Sequence, residues 1–140
     1  MSQTAAIATQ PENALAQGYA ACGRPAEGMA VLEEAIIFAA VTGAEYQYPE
    51  LLRTKGELLL RLDPDDTSAE DWLRSSLVKA REEGTKMLEL RAAVRLAGLL
   101  RDHGEDSHAR DVLEPVYAWF TEGIDTRDLS EAKALLAELA

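Results

Sequence analysis

Residues 88–101, LELRAAVRLAGLLR, decide the fold because their apolar side chains recur at steps of three and four. That spacing places them along one stripe of an α-helix. The stretch also holds the small residues Ala92, Ala93, Ala97 and Gly98, which let neighbouring helices approach closely. We therefore predict a central helix that forms the inner member of a helical hairpin in a short stack.

The composition of the whole chain also favours helices. Apolar residues make up 47% of the 140 residues and aromatics only 6%, so the core is built mainly from Leu, Ala and Val. Ala and Leu are the strongest helix formers, and this length fits one domain with a core of its own. We predict an all-α domain over residues 1–140, with helices over about 11–21, 26–42, 48–62, 67–84, 86–103, 106–121 and 128–139.

Small and large residues recur in these helices at intervals of about forty positions. Each pair has a small and a large residue on its first helix and a small and a large residue on its second. These form four columns: Ala16, Gly56 and Ala97; Tyr19, Leu59 and Leu100; Gly28, Ala69 and Ala109; Leu32, Leu73 and Leu113. Such columns are typical of paired-helix repeats, with the small residues where two helices cross. We predict about three helix pairs, at about 11–43, 47–84 and 86–123, plus a capping helix at about 126–139.

The column pattern resembles tetratricopeptide repeats, in a form longer than the usual ~34 residues. Over about residues 45–138 the chain is similar to the C-terminal helical-repeat region of large bacterial signalling ATPases, in which a nucleotide-binding module and often a cyclase or transcription-factor domain precede the repeats. The segments that carry this likeness are LLRTKGELLLRL (51–62), KMLELRAAVRLAGLLRDHG (86–104) and PVYAWFTEGIDTRDLSEAKALL (115–136).

The resemblance implies a right-handed α-α superhelix that serves as a protein-protein interaction module. The family's ATPase and cyclase motifs lie upstream of the repeats, and this chain has no GxxxxGK[ST] loop. We therefore expect no enzymatic activity and no cofactor, and a regulatory role in a bacterial signalling system with a peptide or protein as partner.

In a tetratricopeptide stack the first helix of each pair lines the concave face, and this places a set of polar residues there. Their arginines match the carboxylates of a peptide, since a guanidinium binds a carboxylate with two hydrogen bonds. One alternative is a solvated face on which Glu50, Glu57 and Glu89 neutralise the arginines. Another is an anion-binding or small-ligand sensor. The candidate groove residues are Asn13, Gln17, Glu50, Arg53, Glu57, Arg61, Arg91, Arg95 and Arg101.

Two sequence features invite a metal-site interpretation, and neither supports it. His103 and His108 are five positions apart, whereas metal-binding helices favour a spacing of four, and no cysteine is near. The acidic turn that begins at Asp63 lacks the glycine of a calcium loop at position six (Ser68) and the acid at position twelve (Arg74). We predict no metal site.

The charge limits the choice of partners. A net charge of −11 disfavours nucleic acid, although residues 51–101 carry ten bases and nine acids and are thus the least acidic third. No apolar run approaches the length of a membrane span, and the N-terminal residues do not form a secretory signal. Cys22 is the only cysteine, which fits a reducing compartment, so we expect a cytoplasmic protein without a membrane partner.

The two ends of the predicted stack differ. At the C-terminal end, the last helix caps the stack with Glu131, Lys133 and Glu138 outward, and Trp119 and Phe120 are expected to pack against Leu129 and Leu136. The N-terminal end has no such cap. We therefore expect a homodimer through the N-terminal helices, or burial by an upstream chain, at an exposed apolar side formed by Leu15, Tyr19, Met29, Ile36 and Phe38.

Overall fold

The computed structural model describes residues 14–43, 48–120 and 126–140, and throughout these ranges the chain forms helices joined by short turns. Residues 14–21 belong to a first helix, α1, whose predicted start at residue 11 lies outside the described residues. The prediction of an all-α fold is confirmed for these ranges. The other helices are α2 Pro25–Thr42, α3 Tyr48–Leu62, α4 Ser68–Glu83, α5 Lys86–Asp102, α6 Asp106–Trp119 and α7 Arg127–Leu139.

Glycines directly follow two of these helices and end them. Gly43 ends α2 with φ 74° and donates its backbone N–H to the Ala39 carbonyl, and Gly84 ends α4 with φ 72°. This left-handed conformation costs other residues energy that glycine avoids. The turns after α2 and α4 are therefore specified by single residues.

Helices that follow one another in the chain pack together, and α5 lies at the centre. It packs against α4 and α6, its neighbours in sequence, and also against α3 and α7. Leu90, Ala93 and Val94 are therefore buried in addition to the predicted stripe that contains Leu96 and Leu100. A single apolar stripe was too narrow a prediction, because this helix has neighbours on several sides.

Within the described ranges, two groups of apolar side chains form the core. One joins α1, α2 and α3 and includes Leu32, Leu51 and Leu58, all at most 2% exposed. The other is centred on α5 and extends through α6 to α7, with Leu90 and Leu113 fully buried. The α5-centred group, which also contains Leu73 and Leu77 of α4, joins α4, α5, α6 and α7 through buried apolar contacts.

Small residues lie where successive helices cross. A Cβ atom at Gly28 would lie 2.6 Å from the Ala16 carbonyl oxygen, and one at Gly56 would lie 3.2 Å from the Ala69 carbonyl oxygen. The α1–α2 and α3–α4 crossings are thus close backbone approaches. The equivalent residue on α5, Ala97, is fully buried.

The expectation about the exposed N-terminal side is correct only in part. Leu15 and Phe38 are exposed, but Met29 is 8% exposed and belongs to the core, so its placement on the open side was wrong. Tyr19 and Ile36 are half-buried. Met29 lies about one helical turn before Leu32, and so on the same face of α2, which packs against α1 and α3.

The expectation for the aromatic pair before α7 is also correct only in part. Phe120 is half-buried against the core group that contains Leu129. Trp119 is 56% exposed, with its ring 5.1 Å from that of Phe120 and 5.3 Å from the Lys86 ammonium. α6 ends at Trp119, and Phe120 has an extended backbone with φ −82° and ψ 96°, so the two adjacent side chains point in different directions.

No helix in the described part of the chain combines the length and apolar character needed to cross a membrane.

The glycine at the α1–α2 crossing gives a test of this packing. We expect Gly28→Ala to lower the free energy of unfolding by about 1–3 kcal/mol, because the new methyl group meets a backbone oxygen that cannot move aside. Gly98→Ala is the matched control: nothing lies within 4 Å of the added Cβ, so we expect about 0.5–1 kcal/mol of stabilisation. Urea unfolding followed by circular dichroism measures both, and equal effects of the two substitutions would contradict the close crossing.

Candidate functional site

A groove of about 550 Å³ lies between α1, α3, α5 and α7. Every odd-numbered helix contributes to its lining, whereas α2, α4 and α6 do not. We name this surface the odd-helix groove. Its lining residues are Ala14, Gln17, Ala20, Glu50, Arg53, Thr54, Glu57, Leu58, Arg61, Arg91, Val94, Arg95, Arg127, Asp128 and Glu131.

Helical spacing explains why charged side chains collect in this groove. On α3, Arg53, Glu57 and Arg61 follow one another at steps of four, which places them on one face of the helix. On α5, Arg91 and Arg95 have the same spacing. The opposite faces of both helices carry leucines that pack into the core, so the charged faces point toward the groove.

Arg53 is the most buried charge in the groove, at 8% exposure. Its guanidinium donates two hydrogen bonds to the Glu50 carboxylate, Nε to Oε1 at 3.1 Å and Nη2 to Oε2 at 3.0 Å, and a third to Glu57. Burial acts to lower the pKa of Arg53. The hydrogen bond with Glu50 and the charges of Glu57, Glu50 and Asp128 outweigh burial and raise this pKa above its ordinary value.

Ion pairs from α5 connect α3 with α7. Arg91 donates from Nε to Asp128 Oδ2 at 2.9 Å and from Nη1 to Glu50 Oε2 at 3.3 Å. Burial acts against the charge of Arg91, but the hydrogen bond with Asp128 and the charge of Glu50 raise its pKa. Arg95 Nε lies 2.7 Å from Glu57 Oε1, and Arg95 Nη2 lies 3.6 Å from an oxygen of Glu131. Both α5 arginines therefore join α3 to α7.

Arg61 differs from the other arginines of the groove. Its Nη1 donates to the Ala20 carbonyl oxygen at 3.1 Å, and among the described residues no carboxylate lies within 4 Å of its guanidinium. Arg127, at the other side, pairs with Glu131 at 3.2 Å and its side chain is 91% exposed. Among the described residues, the lining thus holds five arginines and four carboxylates, a net charge of +1 in a chain of −11.

The structure brings most of the predicted groove residues together. Arg101 is not part of the lining: it pairs with Asp102 and with Glu138 at the C-terminal ends of α5 and α7. Asn13 lies outside the described residues. The predicted residues that line the groove are Gln17, Glu50, Arg53, Glu57, Arg61, Arg91 and Arg95.

The alternative that glutamates pair with the arginines of this face is correct in part. Glu50 and Glu57 do pair with Arg53 at the predicted spacings of three and four. Glu89 does not join them, because it is buried at the start of α5 and pairs with Arg81 and Lys86. Two of the three proposed carboxylates therefore pair with an arginine of the groove.

Sequence reasoning missed the contribution of α7. Glu131 was expected to point outward, but it lies beside Arg95 and Arg127 and lines the groove, so that expectation was wrong. Asp128 was not considered at all. Asp128 and Glu131 are three positions apart and therefore lie on neighbouring positions of one face of α7, and treating α7 as another groove helix rather than as a cap would have found them.

The chemistry available in the odd-helix groove is recognition through charge and hydrogen bonds. Its described lining contains guanidiniums, carboxylates, the Gln17 amide and the Thr54 hydroxyl, and it contains no histidine, cysteine or serine. The Gln17 amide already donates to Thr54 at 3.3 Å, which joins α1 to α3. A ligand must therefore exchange hydrogen bonds with a network that is already formed.

No family model, no curated protein and no solved structure matches this chain. A function has to be proposed from the residues of the chain itself.

Proposed function

We propose that this protein is a non-catalytic interaction module, a tetratricopeptide-like right-handed superhelix that holds a segment of a partner protein in the odd-helix groove. The observation that supports this most is the lining of the groove, to which α1, α3, α5 and α7 all contribute polar or small side chains. A stack of helix pairs forms one continuous concave surface, which can bind an elongated ligand.

A regulatory setting in a bacterial signalling system is part of the proposal, and it rests on the resemblance of segments 51–62, 86–104 and 115–136 noted in the sequence. Small residues at the helix crossings, such as Gly28 against α1 and Gly56 against α4, are what paired-helix repeats require. The chain contains one cysteine, Cys22, and a chain that cannot form an internal disulfide fits the reducing cytoplasm that we propose as its location. The proposed task is to bring a partner to a signalling assembly.

The charges of the groove indicate which ligand fits. Arg53, Arg91 and Arg95 are committed to carboxylates of the protein, so a purely anionic ligand has to displace these carboxylates before it binds them. A peptide that carries both acids and bases can replace the pairs one by one. Its first carboxylate has a ready partner in Arg61, which is exposed and bound only to a backbone oxygen among the described residues.

An anion-binding or small-ligand sensor is the second candidate, and Arg61 together with the exposed Arg127 favours it. The groove is large enough for a small molecule, since ligand pockets span roughly 300–1,000 Å³. We rank it second because breaking a buried pair such as Arg53–Glu50 costs about 3–5 kcal/mol, which a small anion has few contacts to offset.

Self-association through the N-terminal helices is a further part of the proposal. Ile37, Phe38 and Val41 of α2 are 63%, 39% and 80% exposed, and Leu15 of α1 is 50% exposed. Ile37 and Phe38 lie four and three positions before Val41, on one face of α2, and exposed large apolar side chains grouped in this way are commonly buried by a partner. A two-fold dimer would cover the same patch on both copies.

The groove proposal is tested with peptides selected from a random phage-displayed library on the immobilised full chain. We expect Arg61→Glu to weaken binding of the selected peptides by at least about tenfold, because a charge-assisted hydrogen bond is replaced by repulsion. Fluorescence anisotropy gives the dissociation constants, and circular dichroism confirms that the variant is folded.

Lys133→Glu is the matched control, since it makes the same change in charge on an exposed position of α7 outside the groove. It is expected to change peptide affinity by less than about threefold, as distant surface charges are screened by salt. Peptides that bind both variants as well as the wild type would contradict the groove as the binding surface. Phosphate or citrate that binds with one saturable site, when no peptide does, would favour the sensor instead.

The dimer is tested by sedimentation over a range of concentrations. We expect wild type to reach twice the monomer mass, and Ile37→Lys with Val41→Lys to remain monomeric because two charges would be buried at the contact. Val78→Lys is the control: this side chain is 49% exposed on α4, away from the patch, and its variant should still dimerise. A wild type that stays monomeric at every concentration would rule the dimer out.

A further inference from the structure

A cluster of metal-ligating side chains lies at the corner where α4 meets the turn between α5 and α6. Glu70 comes from the first turn of α4, His103 directly follows α5, and Glu105 directly precedes α6. One potential ligand atom from each of these three residues lies within 4.8 Å of the other two. The corner shares no residue with the odd-helix groove.

The turn that builds this corner is fixed by backbone hydrogen bonds. Gly104 adopts φ 77°, a conformation that favours glycine, and donates to the Arg101 carbonyl oxygen at 2.9 Å. The N–H of Glu105 donates to the Leu100 carbonyl oxygen at 2.8 Å. These two bonds close the end of α5 and hold His103 and Glu105 on either side of the glycine. Packing of α4 against α5 then brings Glu70 to them.

Two charged neighbours influence the cluster. Arg74 donates from Nε to Glu70 Oε2 at 2.9 Å, so one oxygen of that carboxylate is held and the other is left for a further ligand. On the far side of Glu105, His108 Nδ1 lies 3.5 Å from Glu105 Oε1. Both histidines of the chain therefore lie beside the same carboxylate, although only His103 belongs to the cluster of three.

We propose that Glu70, His103 and Glu105 bind a divalent first-row transition ion, of which Zn²⁺ is the representative. One imidazole and two carboxylates form a nitrogen–oxygen donor set that suits zinc, whereas calcium and magnesium take oxygen ligands. Three protein ligands leave the remaining position of a four-coordinate ion to water.

The geometry requires only small side-chain movements. Zinc binds nitrogen and oxygen at about 2.0–2.2 Å, so the ligands of a tetrahedral ion lie roughly 3.3 Å apart. His103 and Glu105 are exposed and Glu70 is half-buried, which lets the three side chains rotate to that separation. The spacing of the histidines gave no reason to expect this site, because the carboxylate that completes it comes from another helix.

Binding of the ion would tie α4 to the α5–α6 turn, since its ligands come from both. A metal that binds only the folded chain raises its melting temperature. The melting temperature therefore reports binding at this site independently of any ligand in the odd-helix groove.

The test is a titration of the full-length chain, without a histidine tag, with Zn²⁺ alone. Isothermal titration calorimetry is expected to show one saturable site, and His103→Gln and Glu70→Gln are each expected to lower the affinity at least tenfold. Co²⁺ in place of Zn²⁺ should give the strong visible absorption of a four-coordinate ion in the wild type and lose it in both variants.

His108→Gln is the matched control, because it removes the only other imidazole of the chain from a position outside the cluster. Its affinity for Zn²⁺ should stay within threefold of the wild type. Equal losses in His103→Gln and His108→Gln, no loss in either, or no saturable binding by the wild type would each overturn the proposal.

Discussion

The buried ion pair between Arg53 and Glu50 is the constraint on which the candidate site depends. Arg53 is 8% exposed and Glu50 is 9% exposed, so neither charge is fully solvated. Charges that leave water are stable only when their partners are placed well. The two hydrogen bonds from Arg53 to Glu50 meet this condition. Arg91 of α5 also donates to Glu50, so α5 has to lie beside α3 for this carboxylate to keep all of its partners. The relative position of α3 and α5 is therefore fixed by charge as well as by apolar packing.

Close helix crossings make this arrangement possible. Gly56 lets α4 approach α3 until Leu73 contacts the backbone of α3, with its Cγ 2.9 Å from where a Cβ would be. With the even-numbered helices packed this closely on one side, α3, α5 and α7 meet on the other, and their polar faces form a common surface. The same packing brings α4 against the end of α5, where Glu70 meets His103. Both sites follow from how consecutive helices pack.

The sequence predicts the parts of this structure that depend on local spacing. Helices α2 to α7 and the groove-facing positions of α3 and α5 follow from apolar steps of three and four, because a helix converts spacing directly into faces. The sequence did not predict which side chains from distant segments contact one another. The pairing of Arg91 with Asp128, and the approach of Glu70 to His103, join residues more than thirty positions apart. The burial of Met29 was missed for the same reason, since it depends on which neighbours α2 has.

A double-mutant cycle on Glu50 and Arg91 tests most directly whether α3 and α5 share the groove. These residues are 41 positions apart, and Arg91 Nη1 lies 3.3 Å from Glu50 Oε2. Glu50→Gln, Arg91→Gln and the double variant are unfolded in urea, and the ion pair predicts a coupling free energy of about 0.5–2 kcal/mol. Single effects that add to the double effect within about 0.3 kcal/mol would show that the two side chains do not meet.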